Sequence, residues 1–79
     1  MKYDFSNEAT KRLMELDMNM AGRIIKGIMG LPNKGDIKTL DGNFKGYYRL
    51  RIGDLRILYK VNNDVIFISS ILPRGDSYK

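Results

Sequence analysis

Neither histidine nor cysteine occurs anywhere in this chain of 79 residues. Their absence removes the usual zinc ligands, the Ser-His-Asp relay and thiol nucleophiles, so any catalysis must come from Arg, Lys, Tyr, Asp or Glu. No disulfide framework can support the fold, which fits a reducing compartment. No stretch approaches the roughly 20 apolar residues of a membrane helix, and the start shows no signal-peptide pattern. The expectation is a cytoplasmic protein without a membrane partner. A phosphate-cradling loop is also lacking: Gly27-Ile28-Met29-Gly30 sits in an apolar helical pattern and no Lys-Ser/Thr follows it. Neither a metal nor a cofactor is expected. No repeat or low-complexity segment interrupts the chain.

The composition is that of one small globular domain over residues 1–79, with 43% hydrophobic and 29% charged residues. A domain of this size buries roughly 60% of its unfolded surface, enough for a single core. Five methionines serve more naturally as adaptable core packing than as a ligand set. The net charge of +5 and a pI near 9.6 favour a polyanionic or acidic partner.

Alternation at Lys2-Tyr3-Asp4-Phe5 predicts a short first strand. Ser6 stands where a helix N-cap belongs, and Glu8 in the first turn complements the helix dipole. Apolar residues at Ala9, Leu13, Leu16 and Met20 follow a helical step. A second run carries Met20, Ile24, Ile28 and Leu31 and stops at Gly30-Leu31-Pro32. A break near Asp17–Asn19 gives a helical hairpin; one bent helix is the alternative. Residues 32–46 read as a polar connector, with Ile37 and Leu40 tacking it to the core.

The most informative stretch is Tyr48-Arg49-Leu50-Arg51-Ile52-Gly53-Asp54-Leu55-Arg56-Ile57-Leu58-Tyr59, two alternating strands around a Gly-Asp turn. A two-residue loop pairs Ile52 with Leu55, Arg51 with Arg56, Leu50 with Ile57 and Arg49 with Leu58. Arg49, Arg51 and Arg56 then share a face, and Arg51 opposes Arg56 directly, a like-charge pair that destabilises a sheet. An anion held between the guanidinium groups offsets that cost. A solvated polar face with splayed side chains is the alternative.

After the turn-prone Asn62-Asn63-Asp64, Val65–Ile71 forms the last strand. Short connections imply an antiparallel three-strand meander after the strand–helix–helix opening, an α+β layout with the helices on one sheet face. Leu50, Ile52, Leu55, Ile57, Tyr59 and Val61 face the helices, joined by Ile66 and Ile68. The other face carries Arg49, Arg51, Arg56 and Lys60, with Leu58 and Phe67 exposed among them. Arginines beside an exposed ring suit RNA, whose bases stack on aromatics; Leu58 and Phe67 equally suit a covering protein. Pro73 ends the strand, and Arg74 and Tyr78 either fold back over the arginine face or fray.

The arginine hairpin, Val61, the ending Ile71-Leu72-Pro73-Arg74-Gly75-Asp76-Ser77-Tyr78-Lys79, the opening Phe5-Ser6-Asn7-Glu8-Ala9 and the segment Gly35–Leu40 together resemble the RelE/ParE superfamily of toxin–antitoxin toxins. The resemblance covers nearly the whole chain and implies a RelE-like fold. It also implies a type II toxin neutralised by a cognate antitoxin and acting as a ribosome-dependent endoribonuclease on mRNA in the 70S ribosome. By position, Arg56 matches the arginine that contacts the scissile phosphate, and Arg49 and Arg51 fall where such toxins carry basic residues. Arg74 matches the arginine after the last strand and Tyr78 the base-stacking C-terminal tyrosine. The implied reaction is attack by the ribose 2′-OH on the adjacent phosphate, giving a 2′,3′-cyclic phosphate and a 5′-OH. Arg51, Arg56, Arg74 and Tyr78 form the implied catalytic set, with Arg49, Lys45 and Phe67 binding RNA. Arg is a poor general base, and neither Lys45 nor Tyr78 supplies a compelling one. A ParE-like gyrase inhibitor and a catalytically inactive protein-binding member are the alternatives on the same fold.

Overall fold

The computed structural model describes residues 2–73; Met1, Arg74 and Tyr78, with the rest of 74–79, lie outside the described residues. The chain begins with β1 (Lys2–Phe5), α1 (Asn7–Glu15) and α2 (Met18–Met29). It continues with β2 (Asp36–Thr39), a 3₁₀ turn (Gly42–Phe44), β3 (Tyr48–Ile52), β4 (Leu55–Asn62) and β5 (Val65–Pro73). The five strands make one sheet in the order β1-β5-β4-β3-β2. The α+β layout read from the sequence is present, with one strand more than expected.

Ser6 caps α1 as its position predicts. Its Oγ accepts from the Ala9 N–H at 2.9 Å and donates to the Ser69 carbonyl at 2.6 Å, fixing the helix start to β5. The choice between a hairpin and one bent helix is decided at Leu16-Asp17. Leu16 leaves the helical region, and the Asp17 carboxylate accepts from the Met20 N–H at 2.8 Å, opening a second helix. The apolar stripe then buries Ala9, Ile24 and Ile28 against Leu50, Ile57, Tyr59, Ile66, Ile68 and Ile71 of the sheet. Gly27 permits this approach: a Cβ there would run into Ile52 Cδ1.

The β3–β4 register is the expected one in all four pairs from Arg49–Leu58 to Ile52–Leu55, and Tyr48–Tyr59 continues it. Gly53 takes φ +57° in the two-residue loop, a conformation that glycine adopts freely. The β4–β5 pairing keeps the even register from Asn62–Val65 to Tyr59–Ile68, so Ile66 and Ile68 face the helices as predicted. It then slips by one residue between Leu58 and Tyr59, which returns Ile71 to the core face.

Three expectations are corrected. The connector over residues 32–46 holds a strand: Asp36–Thr39 pairs antiparallel with β3, extending the three-strand meander to four strands. Gly35, at φ +120°, opens it in a conformation that no side chain favours. Secondly, Leu58 lies on the arginine face as expected but is only 2% exposed. Long cationic side chains lay apolar stems along a sheet while their heads stay in water, which accounts for a dry leucine in register with Arg49. Thirdly, Val61 sits near the hairpin end and is 38% exposed instead of closing the core. β1 pairs with β5 in parallel, the direction that the intervening helices permit.

Candidate anion-binding face

Strand alternation and the observed registers decide which side chains share the face turned away from the helices. Asp36, Arg51, Arg56 and Leu72 form one cross-strand row; Lys38, Arg49, Leu58 and Ser70 form the next. Beyond the register slip, Lys60 and Phe67 pair, with Asp4 of β1 beside Phe67. Four cationic residues of three adjacent strands, Lys38, Arg49, Arg51 and Arg56, therefore sit within two rows.

Asp36 organises part of this cluster. Its Oδ1 lies 3.1 Å from Arg49 Nη2 and its Oδ2 lies 3.0 Å from Arg51 Nε. The two arginines differ in exposure: the Arg49 side chain is 13% exposed and that of Arg51 is 54% exposed. Arg49 Nε and Arg56 Nη1 are both buried and make no hydrogen bond. A buried N–H on a charged group without an acceptor is costly, and such groups call for a reason beyond folding. Guanidinium groups held beside one another, incompletely compensated and partly open to solvent, can bind a phosphate through charge-assisted hydrogen bonds.

At the far end of the face, Lys60 Nζ stands 4.5 Å over the centre of the Tyr47 ring, and Phe44 meets the same ring edge-on at 6.1 Å. The Tyr47 N–H donates to the Phe44 carbonyl at 2.9 Å, and the Leu40 N–H donates to the Tyr47 carbonyl at 3.1 Å. These contacts fasten the β2–β3 connection onto the sheet. On the core face, Tyr48 and Tyr59 stack at 5.4 Å between ring centres. Burial, with the neighbouring Tyr48 adding to it, pushes the Tyr59 hydroxyl up to about 12.

The sequence-predicted site residues separate into three groups. Arg49, Arg51 and Arg56 are brought together as read. Phe67 is half-buried on the same face, two rows from Arg56, while Lys45 is exposed in the connection ahead of β3. Arg74 and Tyr78 lie outside the described residues. Sequence reasoning missed Asp36, Lys38 and Tyr47. The alternation Asp36-Ile37-Lys38-Thr39 was the available signal for the first two, obscured by the glycine- and asparagine-rich residues around it.

Elsewhere, a cleft of about 290 Å³ lies between α1 and the end of β5, lined by Glu8, Lys11, Arg12, Glu15, Ile71 and Leu72. Its two acidic and two basic residues balance, so it has no bias toward an anion. Among the described residues no three His, Cys, Asp or Glu side chains group as metal ligands. Nor, among the described residues, is any helix long and apolar enough to cross a membrane.

The fold has clear relatives. Toxin RelE3 of Methanocaldococcus jannaschii is 42% identical over 45 residues, a match covering 57% of this chain and 50% of that protein, so the chain matches about half the relative's length. The RelB–RelE antitoxin–toxin complex from Methanococcus jannaschii is similar at TM-score 0.74 and 30% identity, covering 89% of this chain and 88% of that one. The archaeal RelE–RelB complex from Pyrococcus horikoshii is similar at TM-score 0.76 and 28% identity, covering 96% and 97%. The family model for the ParE toxin of the type II toxin–antitoxin system parDE matches residues 3–78, nearly the whole sequence. On that match the chain belongs to the RelE/ParE family of type II toxins.

Proposed function

We propose that this toxin acts as a ribosome-dependent endoribonuclease that cuts mRNA. The observation that carries the reading is the cationic row itself: Arg51 directly opposite Arg56, with Arg49 one row away. A sheet gains nothing from that arrangement, whereas a phosphodiester passing to a phosphorane gains two guanidinium partners as negative charge builds on its oxygens. Attack by the ribose 2′-OH on the adjacent phosphate forms a P–O bond and breaks the bond to the 5′-oxygen, leaving a 2′,3′-cyclic phosphate and a 5′-OH. The 2′-proton passes to a base, and the leaving oxygen takes up a proton. Arg51 and Arg56, together with Arg74, stabilise charge; Tyr78 stacks on a base; Arg49, Lys45 and Phe67 hold the strand. The ribosome supplies much of the in-line orientation, which lessens the demand on a strong protein base.

The same reading gives the chain a cognate antitoxin. Two solved relatives are antitoxin–toxin complexes by name. The net charge of +5 suits an acidic segment that folds on binding. Phe67, half-buried, remains a candidate contact for it, whereas Leu58 is too deeply buried to serve as one. Co-expression with the adjacent gene should yield a complex that survives moderate salt; two proteins that elute separately would count against the pairing.

A second reading is favoured by the family match to ParE toxins: inhibition of DNA gyrase on the same scaffold, without phosphodiester chemistry. The test of the nuclease reading is the chemistry of the ends. Incubation with programmed ribosomes should give RNA fragments carrying a 2′,3′-cyclic phosphate and a 5′-OH. Intact message under those conditions would favour the gyrase reading or an inactive, protein-binding member.

A further inference from the structure

Asp36 is the one carboxylate that bridges two members of the cationic cluster among the described residues. It comes from β2, a strand distinct from those that carry the arginines, and its register partner is Arg51. Each carboxylate oxygen takes a different arginine: Oδ1 accepts a hydrogen bond from Arg49 Nη2 at 3.1 Å, and Oδ2 forms an ion pair with Arg51 Nε at 3.0 Å. Arg49 and Arg51 are two residues apart on one strand and project from the same face, where their charges drive them apart. A free arginine side chain samples many rotamers. One anion on two guanidinium groups sets their separation and restricts both.

The bridging contact uses Nε of Arg51 and leaves its two terminal nitrogens out of the ion pair, and Arg51 is the more exposed of the two arginines. Arg56 stands directly across from Arg51 in the same row. The order Asp36–Arg51–Arg56 across three strands is therefore a carboxylate, a cation it orients, and a second cation facing the first.

We propose that Asp36 is a positioning residue of the anion site: it holds Arg49 and Arg51 side by side so that Arg51 meets a substrate phosphate together with Arg56. The inference rests on the nuclease reading for its substrate, an RNA phosphodiester, but the arrangement it asserts belongs to the free protein. Both Asp36 oxygens are engaged by guanidinium groups, which assigns the side chain to orientation and leaves the 2′-OH proton to another acceptor.

The test separates orientation from charge. Removing Asp36 takes the net charge from +5 to +6, and a simple electrostatic account then predicts tighter RNA binding and undiminished cleavage. Orientation predicts the opposite for the chemical step. In Asp36→Ala, single-turnover cleavage on saturating programmed ribosomes should fall roughly 10- to 100-fold, with no rise in the half-saturating concentration. Asp36→Asn, which retains an acceptor oxygen, should fall between. Asp64→Asn, the same charge change in the β4–β5 turn, should leave the rate unchanged.

The second arm needs no substrate. In the free protein, the Arg49 Nη–H and Arg51 Nε–H signals in nitrogen–proton correlation spectra should be resolved in the wild type. They should merge with those of solvated arginines in Asp36→Ala, while the backbone amide pattern persists. Unchanged arginine signals, or an Asp36→Ala rate equal to or above wild type, would overturn the proposal. Wild-type protein that leaves mRNA intact while the arginine signals respond as described would remove the nuclease reading and keep the positioning role.

Discussion

Arg51 and Arg56 occupy directly opposed positions on neighbouring antiparallel strands, with Asp36 completing the row on the outer side of Arg51. Three charged residues thus lie across three strands, and one carboxylate compensates the Arg49–Arg51 side alone. Among the described residues Arg56 makes no ion pair, and its Nη1 is buried without a hydrogen bond. The cost of placing like charges opposite each other falls on the fold, and the benefit falls on whatever anion bridges them.

That imbalance has a measurable consequence for stability. Arg56→Thr removes the like charge opposite Arg51 and introduces a good strand former, so the protein should be as stable as wild type or more stable by about 0.2–1 kcal/mol. Urea unfolding of both proteins at low salt measures the difference. A loss above about 2 kcal/mol would show that the Arg56 stem is needed for packing and that the pair is not a functional compromise.

Gly35 sets the start of β2 and with it the position of Asp36. At φ +120° a side chain is strained, and an added Cβ would press on Leu50 Cδ1 at 2.6 Å. Gly35→Ala should cost on the order of 1–3 kcal/mol in thermal or chemical unfolding. It should also disturb the Arg49 Nη–H and Arg51 Nε–H signals through Asp36. Gly22→Ala, where nothing lies within 4 Å of the added carbon, should be neutral or stabilising.

Alkaline unfolding reports on the core. Tyr59 is 1% exposed, and burial holds its hydroxyl at about 12 against an ordinary 10.0. Above pH 10 the unfolded chain gives up this proton while the folded chain keeps it, so the unfolded state binds fewer protons and stability falls as pH rises. The loss should begin near pH 10 and continue to about pH 12, with a slope of at most about 1.4 kcal/mol per pH unit from this residue. Tyr59→Phe should flatten that limb. A limb of the same steepness in Tyr59→Phe would assign the effect to other groups.

Much of this arrangement was readable from residues alone, for identifiable reasons. The period-two pattern and the Gly53-Asp54 loop fix the register of Arg51 and Arg56, because a slip of one residue would expose Leu50, Ile57 and Tyr59. Ser6 announced its helix by chemistry and position. Other features had no comparable signal. The edge strand Asp36–Thr39 is four residues long and lies among glycine, asparagine and aspartate, where turn chemistry dominates the pattern. The register slip beside Leu58 is a property of the β4–β5 pairing and not of either strand's own alternation. Leu58 is dry in a row with Arg49, a position that strict alternation treats as polar and therefore open. Asp36 was consequently read as connector, although it proves to be the acidic partner of the arginine cluster.

The most direct measurement is mRNA cleavage by the purified protein on 70S ribosomes, with wild type and Arg56→Ala assayed alongside gyrase supercoiling. Loss of one charge-stabilising group from a transition state costs about 2.7–4 kcal/mol, by analogy with a lost oxyanion donor. The account predicts cleavage by wild type, a roughly 100- to 1000-fold slower rate in Arg56→Ala, and gyrase activity unaffected by either protein. Intact mRNA together with inhibited supercoiling would contradict it and move this toxin to the gyrase-directed branch of its family.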